Sequence, residues 1–120
     1  MSRILAVDDS PSMREMVRMA LSGAGFDITA AVDGQEALDI ARQRAFDLVL
    51  SDVNMPRMDG ISLIRALRAE AAYRLTPILM LTTESSPERK REGKEAGATG
   101  WIVKPFDPTQ LIATLQRVLK

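Results

Sequence analysis

Apolar residues in this chain occur in two kinds of segment that alternate from end to end. Short runs, Arg3 to Val7, Phe26 to Ala31, Leu48 to Leu50, Ile78 to Leu81 and Trp101 to Val103, read as strands. Between them the apolar positions recur at helical spacing. Met13, Met16, Val17, Ala20, Leu21 and Ala24 fall on one face of a helix that Gly23 and Gly25 should stop. Gln35 to Arg44 predicts a helix with Ala37, Leu38 and Ala41 inward, and Ile61 to Glu70 one with Ile64 and Leu67 inward. Leu111, Ile112, Leu115, Val118 and Leu119 mark a closing helix. The stretch Pro87 to Ala96 also predicts a helix, but it carries no large apolar residue and has a glycine, Gly93, in its middle. It reads as a solvated helix that barely packs, or as a loose, switchable surface.

Five strand–helix units with continuous apolar strands point to a parallel sheet covered on both faces. The less apolar second strand is expected at an edge. The 120 residues suit one domain, expected to span 1–120, with no linker, repeat or low-complexity tract. Lysine plus arginine number 16, as do aspartate plus glutamate, which argues against a nucleic-acid or membrane-surface binder. There is no cysteine and no histidine, so thiolate chemistry and the commonest general base are absent. Any resident metal must be a hard cation with oxygen ligands. No apolar stretch is long enough to span a membrane and no signal peptide precedes the first strand, so the expected compartment is the cytoplasm.

In an open parallel sheet, ligands bind beyond the carboxyl ends of the strands. Here those ends carry Asp8 and Asp9, then Asp52, Thr82 and Lys104. Three crowded carboxylates stay ionised together only with a cation among them, and Mg²⁺ is the natural choice. An ammonium and a metal flanking one carboxylate describe a site for transferring an anion onto it. Asp52 is the candidate nucleophile, through an acyl phosphate, with Thr82 donating to a phosphoryl oxygen. Adjacent aspartates can also be a helix cap, and a threonine after a strand a turn residue. Such residues at four strand ends are harder to explain as turns.

The segments "VDDS", "SDVNMPRMDG", "LTTES" and "GWIVKPF", in this order and spacing, resemble the receiver domain of two-component response regulators across the whole chain. The resemblance implies a flavodoxin-like (βα)5 fold with strand order 2-1-3-4-5. It implies that Asp52 accepts a phosphoryl group from a phosphohistidine on a CheA-like histidine kinase. Asp8, Asp9, Asp52 and the backbone carbonyl of Asn54 would hold Mg²⁺, with Asp9 in direct contact. Lys104 would bind the phosphoryl group, and its bond to Pro105 would be cis. Thr82 would move toward the phosphoryl oxygens, and Trp101 would be the switching aromatic. Asn54 and Glu84 would tune self-hydrolysis, in the manner of the chemotaxis regulator CheY. The protein would act on itself rather than as an enzyme on other substrates.

The chain ends with its fifth helix, so the expectation is a receiver without a DNA-binding output domain. The resemblance is greatest to single-domain, CheY-type chemotaxis regulators, which dock on a flagellar motor switch protein and can have a phosphatase partner. Such a protein is expected as a monomer. The charged stretch Lys90 to Lys94 departs from relatives that carry apolar residues there. A phosphate sink or phosphorelay shuttle shares the site chemistry. A Mg²⁺-dependent aspartyl-phosphate phosphatase is a reading of another class. Against it stand the adjacent Asp8–Asp9 pair, where such enzymes have Asp-x-Asp on the first strand, and the lack of a cap insert. A flavin-binding reading conflicts with the acidic first loop.

Overall fold

The computed structural model describes residues 2–119. The order of elements is β1 (Arg3–Val7), α1 (Pro11–Ser22), β2 (Asp27–Ala31), α2 (Gly34–Gln43), β3 (Leu48–Ser51), α3 (Gly60–Arg68), β4 (Ile78–Thr82), α4 (Pro87–Ala96), β5 (Gly100–Val103) and α5 (Pro108–Val118). The five strands form one parallel sheet in the order β2-β1-β3-β4-β5, so β2 is at an edge as its composition predicts. This is the flavodoxin-like receiver fold.

Period-two alternation in each strand divides the core into two layers. Leu5, Val7, Val49, Ile78 and Met80 face α2 and α3 on one side. Ile4, Ala6, Leu48, Leu50, Leu79 and Leu81 face α1 and α5 on the other. Because both faces are covered, β1, β3 and β4 carry almost no polar residue within the sheet.

Each α-helix starts at a side-chain cap. Ser10 accepts from the Met13 N–H, Asp33 from Glu36, Asp59 from Ser62, Ser86 from Arg89 and Asp107 from Thr109. Proline follows the cap in α1, α4 and α5, where its missing N–H leaves no bond unmade. These caps place the starts of α1, α2, α3 and α5 one to three residues ahead of where the apolar stripes begin, while α4 starts at Pro87 as its sequence predicts.

Several boundaries and faces differ from expectation. Helix α1 ends at Ser22, so Ala24 lies beyond it, and Met16 is exposed while Val17 and Leu21 are buried. Strand β2 starts at Asp27, α2 stops before Arg44, and α3 stops before Ala69. The residues after α3 form an unexpected short 3-10 turn, Ala71–Tyr73. Tyr73 is buried there, and its single hydroxyl proton is shared between the carbonyls of Ala41 and Arg44, at 2.7 and 2.6 Å. Arg68 spans the same region, donating to the carbonyls of Gly97, Tyr73 and Thr76.

Helix α4 does pack, through Gly93 and through Ala96, which lies against the core. Gly93 is its buried residue, and a Cβ there would stand 2.6 Å from Cζ3 of Trp101. The mid-helix glycine is therefore a seat for the indole rather than a weak spot alone.

Candidate functional site

The parallel strands end together on one rim, and the turns that follow determine which side chains converge there. After β1 the chain turns sharply into α1. The Ser10 N–H donates to Asp8 Oδ1 at 2.9 Å, and the Arg14 guanidinium donates to the Asp8 carbonyl at 2.8 Å. Asp8 is thereby buried and fixed, while Asp9 next to it is exposed. After β3 the Val53 N–H donates to Asp52 Oδ1 at 2.7 Å, which orients the half-buried Asp52 carboxylate.

The second oxygens of these two carboxylates meet one ammonium. Lys104 Nζ lies 2.6 Å from Asp8 Oδ2 and 3.3 Å from Asp52 Oδ2. Lys104 stands just beyond β5, and its peptide bond to Pro105 is cis. Carboxylate oxygens of Asp8, Asp9 and Asp52 all lie within 4.8 Å of one another. This donor set is all oxygen and hard, with open sides where Asp9 and Asn54 are exposed. It fits a divalent cation that keeps several waters, as Mg²⁺ does, and does not fit a cation that needs nitrogen or sulfur ligands.

Thr82 ends β4 fully buried. Its hydroxyl accepts from the Glu84 N–H at 3.1 Å, and the Trp101 indole N–H donates to the Glu84 carbonyl at 2.9 Å. Among the described residues, hydrogen bonds thus join Thr82 and Trp101 to Glu84, and none joins either to the acidic cluster. The exposed Asn54 amide approaches a Glu84 carboxylate oxygen at 3.5 Å, a long contact that only loosely bridges the two loops. Hydrogen bonding by Ser86 and then Asn54 holds the Glu84 carboxyl below the usual carboxylate range.

Asp33 and Arg57 border this rim and were not singled out in the sequence. Asp33 is buried at the start of α2, and Arg57 reaches it from the loop that follows Asp52. The sequence signal for Asp33 is that of a helix cap, Asp-x-x-Glu, and nothing local names its arginine partner. Arg14 was also missed, since it lies on a helix face whose apolar stripe hid its reach back to Asp8.

Comparison with known proteins agrees with this geometry. Residues 4–116 match the response regulator receiver domain. The structure resembles that of the chemotaxis protein CheY4 of Vibrio cholerae, with TM-score 0.94 and 56% sequence identity over 98% of each chain. It also resembles the receiver domain of the sensor histidine kinase PA1611 of Pseudomonas aeruginosa PAO1, which has a magnesium ion coordinated in its active-site cleft. That match has TM-score 0.92 and 30% identity, over 98% of this chain and 97% of the other. A curated relative, the DNA-binding response regulator MtrA of Mycolicibacterium smegmatis, is 42% identical over 118 residues, which are 98% of this chain and 50% of MtrA. The chain spans about half the length of the curated relatives it matches. Three carboxylates and a lysine at the strand ends, on a 2-1-3-4-5 sheet that the receiver family matches almost throughout, lead to one conclusion: the chain belongs to the response regulator receiver domain family.

Proposed function

We propose that the protein is a phospho-switched docking protein of the chemotaxis type, with Asp52 as the phosphoryl acceptor. The observation that carries this reading is the position of Asp52. One of its oxygens is oriented by the Val53 amide and the other faces Lys104 at 3.3 Å, beside Asp8 and Asp9. The likeness to Vibrio cholerae CheY4 over nearly the whole of both chains supports the chemotaxis assignment.

In the proposed reaction a carboxylate oxygen of Asp52 attacks the phosphorus of a phosphohistidine on a partner kinase. A P–O bond forms, the P–N bond breaks, and the departing imidazole takes up a proton. Water later attacks the same phosphorus, releasing inorganic phosphate and restoring the carboxylate. Asp8, Asp9, Asp52 and the Asn54 carbonyl would hold Mg²⁺, which when bound neutralises charge on the transferring phosphoryl oxygens. Lys104, whose ammonium lies 3.3 Å from Asp52 Oδ2, would supply a second positive charge to the phosphoryl group. Thr82 gives up its bond from the Glu84 amide to donate to the new phosphoryl group, and Trp101, tied to the same residue, changes its seat. Asn54 and Glu84 border the path of the attacking water and set the lifetime of the acyl phosphate. The resulting surface, around Trp101 and α4, docks a flagellar motor switch protein, and the unit works as a single monomeric domain.

A phosphate sink or shuttle is the second reading. The exposed, charged face of α4 favours it, because Lys90, Arg91 and Lys94 offer no apolar anchor to a target. Among the described residues no helix is long and apolar enough to cross a membrane, in keeping with either reading.

Intact mass after incubation with a small acyl-phosphate donor tests the site, with and without Mg²⁺, on wild type and Asp52→Asn. One added phosphoryl group that requires both Mg²⁺ and Asp52 is the expected result. No adduct under rapid quench would show that the acidic rim serves other chemistry. Phosphorylation-dependent binding to a motor switch protein then separates docking from a sink.

A further inference from the structure

The loop 53–59 joins Asp52 to α3, and it has to present the Asn54 carbonyl to the cation site. Its neck is closed by the Gly60 N–H on the Val53 carbonyl, at 2.8 Å. Its outer limb turns sharply: the Met58 N–H bonds the Pro56 carbonyl at 2.8 Å, and Arg57 between them has φ 67°. That is the left-handed region, which a side chain such as arginine rarely occupies. The sequence places an arginine there where glycine or asparagine would sit without strain.

The Arg57 side chain explains the choice. Its Nε donates to Asp33 Oδ2 at 2.7 Å and its Nη2 to Asp33 Oδ1 at 3.1 Å, a two-pronged fork that lysine cannot make. Asp33 is itself rigidly held, being buried and accepting the Glu36 N–H at 2.8 Å as the cap of α2. The remaining hydrogen bond between this limb and α2 runs from the Gly34 N–H to the Met58 carbonyl at 3.1 Å. That approach is so close that a Cβ on Gly34 would be 2.4 Å from the carbonyl oxygen. Loop and helix start are thus fitted together at two adjacent residues on each side.

We propose that the Asp33–Arg57 fork is a positioning device for the cation site, fastening the 53–59 loop to α2 so that the Asn54 carbonyl is held ready beside Asp52. The inference rests on the reading of Asp8, Asp9 and Asp52 as a Mg²⁺ site. Arg57 touches neither the cation nor the phosphoryl group; it acts through the backbone of the loop.

The decisive variant is Arg57→Gly. Glycine accepts the left-handed backbone freely, so the fork is lost without added strain and the fold is kept. Mg²⁺ affinity measured by calorimetry should fall about 10-fold, the lower end for groups that orient a metal's ligands. In Mg²⁺-free protein, the amides of residues 54–58 should exchange faster, while those of β1 and β3 keep their protection. Arg57→Lys, with charge but no fork, should lie between. Asp33→Asn, which retains the cap acceptor but not the charge, should weaken Mg²⁺ binding in the same direction. Wild-type affinity and wild-type loop exchange in Arg57→Gly would overturn the proposal. Wild-type protein that binds no Mg²⁺ at all would instead overturn the reading of the site on which it rests.

Discussion

Thr82 and Trp101 hold opposite ends of one residue: the Thr82 hydroxyl accepts the Glu84 N–H, and the Trp101 indole donates to the Glu84 carbonyl. A hydroxyl that turns to a new phosphoryl group releases that N–H, and the carbonyl under Trp101 is then no longer fixed. Phosphorylation of the wild type should therefore change Trp101 emission. In Thr82→Ala the N–H has already lost its partner, so emission should differ before phosphorylation and respond little to it. The lost bond should cost about 1 kcal/mol of stability. Steady-state spectra and lifetimes with an acyl-phosphate donor and Mg²⁺ check this, and an unchanged wild-type signal would sink the aromatic switch.

Gly93 gives an independent handle on the same ring. A methyl group there would enter the space of Cζ3 and Cε3 of Trp101, at 2.6 and 3.2 Å. Alanine improves helix propensity by about 1 kcal/mol, whereas overpacking against an aromatic ring costs about 1–3 kcal/mol. The clash should win. Gly93→Ala should lower stability by about 1 kcal/mol in urea titration and shift Trp101 emission to the red as the indole leaves its seat. A variant more stable than wild type, with unchanged emission, would mean that the ring does not rest on Gly93.

The strand-end rim was legible because each of its members follows a short apolar run, and strand ends in a parallel sheet can only gather in one place. Asp8, Asp9, Asp52 and Lys104 were found in this way, and the sheet order followed from the family resemblance. Helix starts were less legible because the apolar stripe says nothing about capping residues three or four positions upstream, such as Ser10 before Met13 and Asp107 before Leu111. Long-range polar pairs were not legible at all. Asp33 and Arg57 lie 24 residues apart, and no periodicity links them. Gly93 was read through propensity as a flaw, because its partner Trp101 arrives only through the β4–α4–β5 crossover. Tyr73 lay in a segment with no repeating pattern, yet it closes two carbonyls near the end of α2.

Asp33 should leave a mark on acid unfolding. Its hydrogen bonds from Arg57 and then from the Glu36 amide hold its carboxyl below the usual carboxylate range. A group whose folded value lies below its unfolded value of about 3.9 stabilises the fold above that pH, and the contribution is lost as pH falls through the folded value. Asp33→Asn should therefore reduce stability near neutral pH and flatten the decline below about pH 4. Urea midpoints measured from pH 2 to 7 check the slope. A variant whose acid limb is as steep as that of the wild type would show that Asp33 binds its proton equally in both states.

Helices α4 and α5 should differ in local stability. Helix α5 buries Leu111 and Leu115, while α4 buries only Gly93 and has the exposed pair Arg91–Glu95 along its outer face. Exposed pairs of this kind contribute about 0.3–0.5 kcal/mol each, too little to replace a buried leucine. Amides in the middle of α4 should exchange faster than those in the middle of α5, by about 10-fold or more. Equal protection in the two helices would show that α4 is held by something other than its packing.

Lys104 is the counter-charge of the rim. Its ammonium sits between Asp8 and Asp52, with the three side chains only 8%, 7% and 12% exposed. Replacing it with methionine leaves two nearby carboxylates facing each other without their cation, which should cost about 1–3 kcal/mol in Mg²⁺-free solution. The same repulsion raises the site's affinity for a divalent cation. Added Mg²⁺ should therefore raise the melting temperature of Lys104→Met by more than it raises that of the wild type, since stabilisation grows with the ratio of ligand concentration to Kd. Phosphoryl incorporation should move the other way and fall sharply, because the acceptor has lost the positive charge beside it. Thermal unfolding with and without Mg²⁺, paired with intact mass after the acyl-phosphate donor, reads both effects on one preparation. Equal Mg²⁺ stabilisation in variant and wild type would separate Lys104 from the cation site, and undiminished incorporation would remove it from the transfer.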